Sequence, residues 1–254
     1  KIKEPTNVLI KYIKQQFYKE ELNILVTRFK KSLELTESFS PKLLSLDSSD
    51  NTLQLVFKND GLDFFSNILN KEKIELVEFF PYAILITRKL KDLHKKRIVH
   101  LDFRPNNILI SSDKKSTFFI SFFSRSLPLE SNHYQHPVKL DEDLYQYTSP
   151  EQTGRINLQV DQRSDLYSLG VLFYEMLNHK KLFNFQDHQS LIHNHIAKMP
   201  APIDSIPETI NGIILKLLSK SVEDRYQSAY GLLKDLEKCQ EVFLKNQKIP
   251  NIGL

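Results

Sequence analysis

His100-Leu-Asp-Phe-Arg-Pro-Asn-Asn107 lies between two apolar runs, directly after a long helical pattern. An aspartate followed five positions later by an asparagine, on a loop between short strands, suits phosphoryl transfer. The Asp102 carboxylate can accept a proton from a hydroxyl, and the Asn107 amide oxygen can ligate a cation such as Mg²⁺. Arg104, two residues past that base, supplies positive charge for a phosphoryl group in transit. Loops rich in Asp and Asn also arise from turn chemistry alone, so on its own the octet leaves both readings open. His100 reads as a packing residue of this loop rather than a proton carrier.

Before the octet, residues 7–12 (NVLIKY) have the look of a short strand carrying one lysine, Lys11. Phe17, Leu22, Leu25 and Phe29 recur at three- and four-residue spacing and predict a helix over 17–31. Leu43 to Leu46 and Thr52 to Lys58 are strand-like, separated by the turn-rich Asp47-Ser-Ser-Asp-Asn51. The pattern then becomes helical, with a short helix over 62–70 and a long one over 75–96. Pro81 lacks an amide donor, which predicts a late start or a bend in the long helix. After the octet come small strands at 108–110 and 118–120, an irregular stretch over 121–150, and helices near 165–178, 187–196, 209–219 and 228–245. The order is a small β-rich part followed by a larger helical part.

Composition narrows the function classes. The chain is 41% hydrophobic and 26% charged, ordinary for a folded protein, so disorder, collagen and coiled coil are excluded. The longest apolar run, about ten residues from Val77 to Ile86, is too short to cross a bilayer. With 35 Lys+Arg against 31 Asp+Glu, the net charge is +4 and the lysines are scattered among acids. No basic stripe with interleaved aromatics suggests nucleic acid, and Lys91 to Arg97 reads as the basic last turn of a helix. A single cysteine, Cys239, removes a disulfide framework, and a reducing, cytoplasmic compartment is expected. His133, His136, His188, His193 and His195 lack the spacing of a metal site.

Further motifs fit around the octet at intervals that turn chemistry does not explain. Val8-Leu-Ile-Lys11 resembles the V-A-I-K strand of the eukaryotic-type Ser/Thr protein kinases, and the resemblance covers almost the whole chain. It implies that Lys11 holds nucleotide phosphates, with Glu21 as its ion-pair partner, although Lys11 also reads as a plain solvated strand lysine. Val56 to Gly61 is similar to the hinge that binds the adenine end of ATP, with Phe57 as gatekeeper and Lys58 and Asn59 beside it. Ser149-Pro-Glu151 resembles A-P-E, and Asp165 is placed like the helix aspartate that braces the catalytic loop. Arg225 sits where the family pairs an arginine with the A-P-E glutamate, which implies a buried Glu151–Arg225 bridge. The strings Ser149 to Arg155, Asp161 to Gly170, His193 to Lys198 and Glu223 to Gly231 resemble one bacterial and fungal subgroup. In that subgroup the kinase domain opens a large sensor protein that continues into an ATPase module and a histidine kinase.

The resemblance implies an α+β, two-lobed protein-kinase fold. A reduced β-rich N-lobe would cover 1–60, a helical C-lobe 61–240 and an exposed linker 241–254. The sequence also departs from the family. The metal-binding D-F-G falls at Ser121-Phe122-Phe123, where a neutral hydroxyl replaces the carboxylate that Mg²⁺ requires. Asp143-Leu144 occupies the place of a Gly-Thr pair whose threonine contacts the catalytic aspartate. No glycine precedes Gly61, so this chain holds no glycine-rich phosphate loop. Two functions follow as expectations. One is a catalytically impaired domain that works by binding a nucleotide or a protein partner, with ATP possible and Mg²⁺ weak or absent. The other is a working Ser/Thr kinase acting on protein hydroxyls with Asp102 as base.

Overall fold

The computed structural model describes residues 8–14, 39–49, 52–71, 74–119, 127–128, 142–184 and 186–246. The helix expected over 17–31, with Glu21, lies outside the described residues, as do Ser121, Phe122 and Phe123. The architecture is α+β and two-lobed: a small sheet leads, and a helical part follows.

Strands β1 (Val8–Lys14), β2 (Leu43–Ser49) and β3 (Thr52–Lys58) form an antiparallel sheet in the order β1-β3-β2. Leu9 stands opposite Phe57, and Lys11 opposite Leu55. The two-residue period of a strand sends Leu9, Leu55 and Phe57 inward while Val8 and Ile10 face solvent. That inner face meets Leu109 in a small core of its own. Residues 62–64, predicted as the start of a helix, instead form strand β4 (Leu62–Phe64), because Phe64 pairs with Leu109. The helix proper, α1, runs Phe65–Lys71. Gly61, at φ +80°, makes the turn into β4, and its carbonyl accepts bonds from both the amide and the hydroxyl of Ser112.

Helix α2 (Leu76–Lys95) turns Phe79, Phe80, Ala83, Ile86, Leu90 and Leu93 to the main core at helical spacing. It does not start late: it begins five residues ahead of Pro81, which sits on the exposed side. The amide Pro81 lacks would have met the Val77 carbonyl, on a turn that water can reach. Strand β5 (Ile98–Val99) then leads into the His100–Asn107 loop, whose end is a 3₁₀ turn over Pro105–Asn107. Strands β6 (Ile108–Ser111) and β7 (Thr117–Phe119) form a hairpin beyond it, and β8 (Leu127–Pro128) pairs with β5.

The helical part adds α3 (Glu142–Tyr145), a 3₁₀ turn over Pro150–Thr153, α4 (Gln162–Asn178), α5 (His188–Ala197), α6 (Glu208–Leu217) and α7 (Ala229–Asn246). Helix α4 is buried on nearly every side, as expected of a helix at the centre of a helical lobe. Asp161 caps its start by accepting from the Arg163 amide at 2.8 Å. Gly170 lets α4 approach α6, since a Cβ there would lie 2.6 Å from Cβ of Leu217. Helix α7 lies against α2 and continues past residue 240, where the sequence places the start of a linker. Phe243 still packs on Phe80, with ring centroids 5.7 Å apart, so the fold reaches at least Asn246. Cys239, on the inner face of α7, is buried.

Candidate functional site

The His100–Asn107 loop is held from below by one carboxylate. Asp165, in the first turn of α4 and fully buried, accepts the amide of His100 through Oδ2 and that of Leu101 through Oδ1, both at 2.8 Å. His94 Nε2 reaches the same Oδ2 at 2.9 Å, so the end of α2 joins the brace. The loop needs this hold because Leu101 adopts φ +59°, a conformation that costs a branched, Cβ-bearing residue about 1–2 kcal/mol. Gln152 completes the restraint by donating to the Leu101 carbonyl at 2.9 Å.

The His100 ring is fully buried and meets Phe103 and Phe119 edge to face, at 5.3 and 5.5 Å, which makes it a packing element. Asp102 is 2% exposed, and Nε of Arg104 lies 2.9 Å from its Oδ1. Asn107 donates to the Asp102 backbone carbonyl at 2.8 Å, closing the five-residue interval seen in the sequence into a ring. Asp102, Arg104 and Asn107 therefore stand together as a rigid unit.

Asp143 comes to this unit from α3. Its Oδ2 accepts from Arg104 Nη1 at 3.2 Å and from Asn106 Nδ2 at 2.8 Å. Leu144 is buried and offers Asp102 no hydroxyl; its carbonyl instead accepts from Thr148 Oγ1 at 2.8 Å. The residues at the Gly-Thr position thus engage the loop through a carboxylate on Arg104.

Glu151 and Arg225 anchor the segment that follows. They form two parallel bonds of 2.8 and 2.9 Å, and Ser164 Oγ adds a third donor to Glu151 at 2.7 Å. Burial works against the Glu151 charge, but Arg225 and Ser164 outweigh it and hold the carboxyl below its usual range. Arg225 lies over the Tyr167 ring at 5.0 Å. Beside it, Lys220 donates to the His195 carbonyl at 2.8 Å and to the Tyr167 hydroxyl at 3.2 Å. Burial, reinforced by the Arg225 charge, brings Lys220 down to about 8. His195 Nδ1 lies 3.0 Å from the Tyr167 hydroxyl; burial first, and Lys220 second, push that imidazole down to about 3.

The residues predicted for the adenine end lie at the end of β3 and in the turn that follows it. Phe57 is wholly in the core. The Lys58 ammonium pairs with Asp60 at 2.8 Å on the surface, and Asn59 Oδ1 caps the next turn by accepting from the Leu62 amide at 2.7 Å. The backbone of Lys11 lies in β1. Sequence reasoning missed His94 and Gln152, and the contact of Asp143 with Arg104. Gln152 had a readable signal, since Ser149 and Gln152 form a capping box, Ser-x-x-Gln.

Among the described residues no three His, Cys, Asp or Glu side chains gather to hold a metal, and the position expected to carry the acidic ligand, Ser121, lies outside them. Adding the Ser121 hydroxyl supplies no charge to a cation that selects carboxylate oxygen.

Residues 5–236 match the protein kinase domain family. A hybrid signal transduction histidine kinase G of Dictyostelium discoideum is 33% identical over 65% of this chain and 7% of that protein. A probable serine/threonine-protein kinase of Clostridium perfringens is 27% identical over 92% of this chain and 34% of that protein. Histidine protein kinase 1 of Candida albicans is 29% identical over 83% of this chain and 10% of that protein. The chain therefore spans between 7% and 34% of the length of these relatives.

Proposed function

The chain belongs to the protein kinase domain family, and from that premise we propose that it is a catalytically impaired kinase-like domain of a signalling protein, working by binding a nucleotide or a protein partner. One observation carries the reading. The catalytic loop is built and braced by Asp165, yet the position that should anchor the metal holds Ser121. Positioning and electrostatics supply most of the rate in phosphoryl transfer, so losing the acidic ligand removes a main contribution while leaving the fold intact. In this reading Asp102 and Arg104 retain the geometry of the family's catalytic loop without its turnover. Asn107 keeps the position of a metal ligand, and His100, Glu151, Asp165 and Arg225 serve the architecture. Lys11 and Glu21 hold any nucleotide phosphates, with Phe57, Lys58 and Asn59 near the adenine end.

The histidine kinases among the relatives support a setting in which the domain is joined to a histidine kinase in a longer chain; the motif resemblance adds an ATPase module to that chain and a cytoplasmic location. No helix among the described residues is long and apolar enough to cross a membrane. A second reading, an active Ser/Thr kinase with Asp102 as base, draws support from the intact Asp102–Arg104–Asn107 unit. Ser121→Asp separates the two. If the serine is the defect, that variant acquires Mg²⁺-dependent stabilisation by ATP that the parent lacks. If parent and variant respond to Mg²⁺ alike, the impaired reading fails.

A further inference from the structure

The Asp143 contact has no counterpart in the chemistry of phosphate transfer, where the cation on the catalytic loop should face a phosphoryl oxygen. Here Arg104, with the neighbouring Asn106 amide, faces a carboxylate of the same chain. Its Oδ2 takes Asn106 at 2.8 Å and Arg104 at 3.2 Å, and Arg104 is itself only 12% exposed, clamped on its other side by Asp102. A guanidinium between two carboxylates is fully compensated, so a third anion arriving there meets repulsion rather than attraction. Asp143 is held in place by the residues that follow it. Thr148 bonds back to the Leu144 carbonyl, Leu144 is buried, and the neighbouring Tyr145 ring rests on His188 at a centroid distance of 4.8 Å.

We propose that Asp143 is an internal competitor that occupies the oxyanion position of the catalytic loop, so that a phosphoryl-bearing ligand enters only when Asp143 leaves. The inference rests on reading the cleft as a kinase-like site and adds a specificity to it: the wild-type loop disfavours terminal phosphates, and release of the 142–148 segment is what admits them. Arg104 and Asn106 are then the residues that a displaced Asp143 hands over to the ligand.

The test uses inorganic tripolyphosphate without adenine or Mg²⁺, so its outcome is independent of whether the domain transfers phosphate. Asp143→Asn removes the competing charge and keeps the shape. Its affinity for tripolyphosphate rises by about tenfold or more, because an anion no longer faces an anion across Arg104. Adding Arg104→Gln to that variant abolishes the gain. In the wild type, saturating tripolyphosphate speeds amide exchange over 142–148 while slowing it over 100–107, a readout that serves even where Asp143→Asn folds poorly. The proposal is overturned if Asp143→Asn binds no tighter, if the gain survives loss of Arg104, if neither protein binds tripolyphosphate, or if the ligand protects both segments together.

Discussion

Glu151 and Arg225 meet as a closed fork, 74 residues apart in the chain, with both side chains at 0% exposure. Three further carbonyls, of Ser219, Lys220 and Arg163, accept from the guanidinium, so each of its five N–H groups has an acceptor. The fork ties the segment below the catalytic loop to the far end of the helical lobe.

Breaking the fork on one side should be severe. Arg225→Met leaves Glu151 buried and uncompensated, and urea unfolding is expected to show a loss of about 3–5 kcal/mol. Replacing both, as Glu151→Leu with Arg225→Met, should recover part of that loss. A single-variant loss under about 1 kcal/mol would mean the fork is not holding the lobe.

His195 predicts an acid sensitivity. Its imidazole titrates near 3 in the folded chain, against an ordinary value near 6.5, so the unfolded chain binds the extra proton between those limits. Stability therefore falls as pH drops below 6.5, by about 1.4 kcal/mol per pH unit. Between pH 7 and 5 the wild type should lose about 2 kcal/mol more than His195→Asn in paired urea titrations. Equal losses in the two proteins would show that the imidazole does not carry this sensitivity.

Two backbone positions should respond in opposite directions. Gly170→Ala improves helix propensity but drives a methyl to 2.6 Å from Leu217 on α6, and overpacking should win by about 1–3 kcal/mol. His179 ends α4 at φ +55° on an exposed turn, so His179→Gly relieves strain and should stabilise by about 0.5–1 kcal/mol. Melting curves of the two variants decide both signs.

Asp165→Asn keeps the shape but weakens the acceptor of two loop amides and of His94. Bonds to a charged group count for more than neutral ones, and a loss of about 2–3 kcal/mol is expected. Amide exchange should report it locally, with His100 and Leu101 speeding up more than α7. Uniform acceleration along the chain would instead mark Asp165 as a general core residue.

Much of this is legible in the sequence. The five-residue interval from Asp102 to Asn107 is a property of one loop, and the strand character of 52–58 is carried by seven consecutive residues. Glu151, Asp165 and Arg225 lie far apart in the chain, and the kinase resemblance supplied their roles. What escaped depended on where the chain returns. Nothing in the Asp143-Leu144 dipeptide says that its carboxylate will meet Arg104, because that contact is set by the packing of α3 and not by local propensity. Leu62 to Phe64 read as helix since three residues are too few to show a period, and the β6 partner that makes them a strand is more than 40 residues away. Pro81 misled because an exposed turn tolerates a missing amide that a buried one does not.

The most direct measurement is phosphoryl transfer from ATP by the unmodified chain, read beside its melting temperature with ATP in the presence and absence of Mg²⁺. An impaired cleft predicts no transfer that depends on Asp102, and any ATP stabilisation should be the same with the metal as without it. Stabilisation that requires Mg²⁺, with transfer abolished by Asp102→Asn, would contradict it.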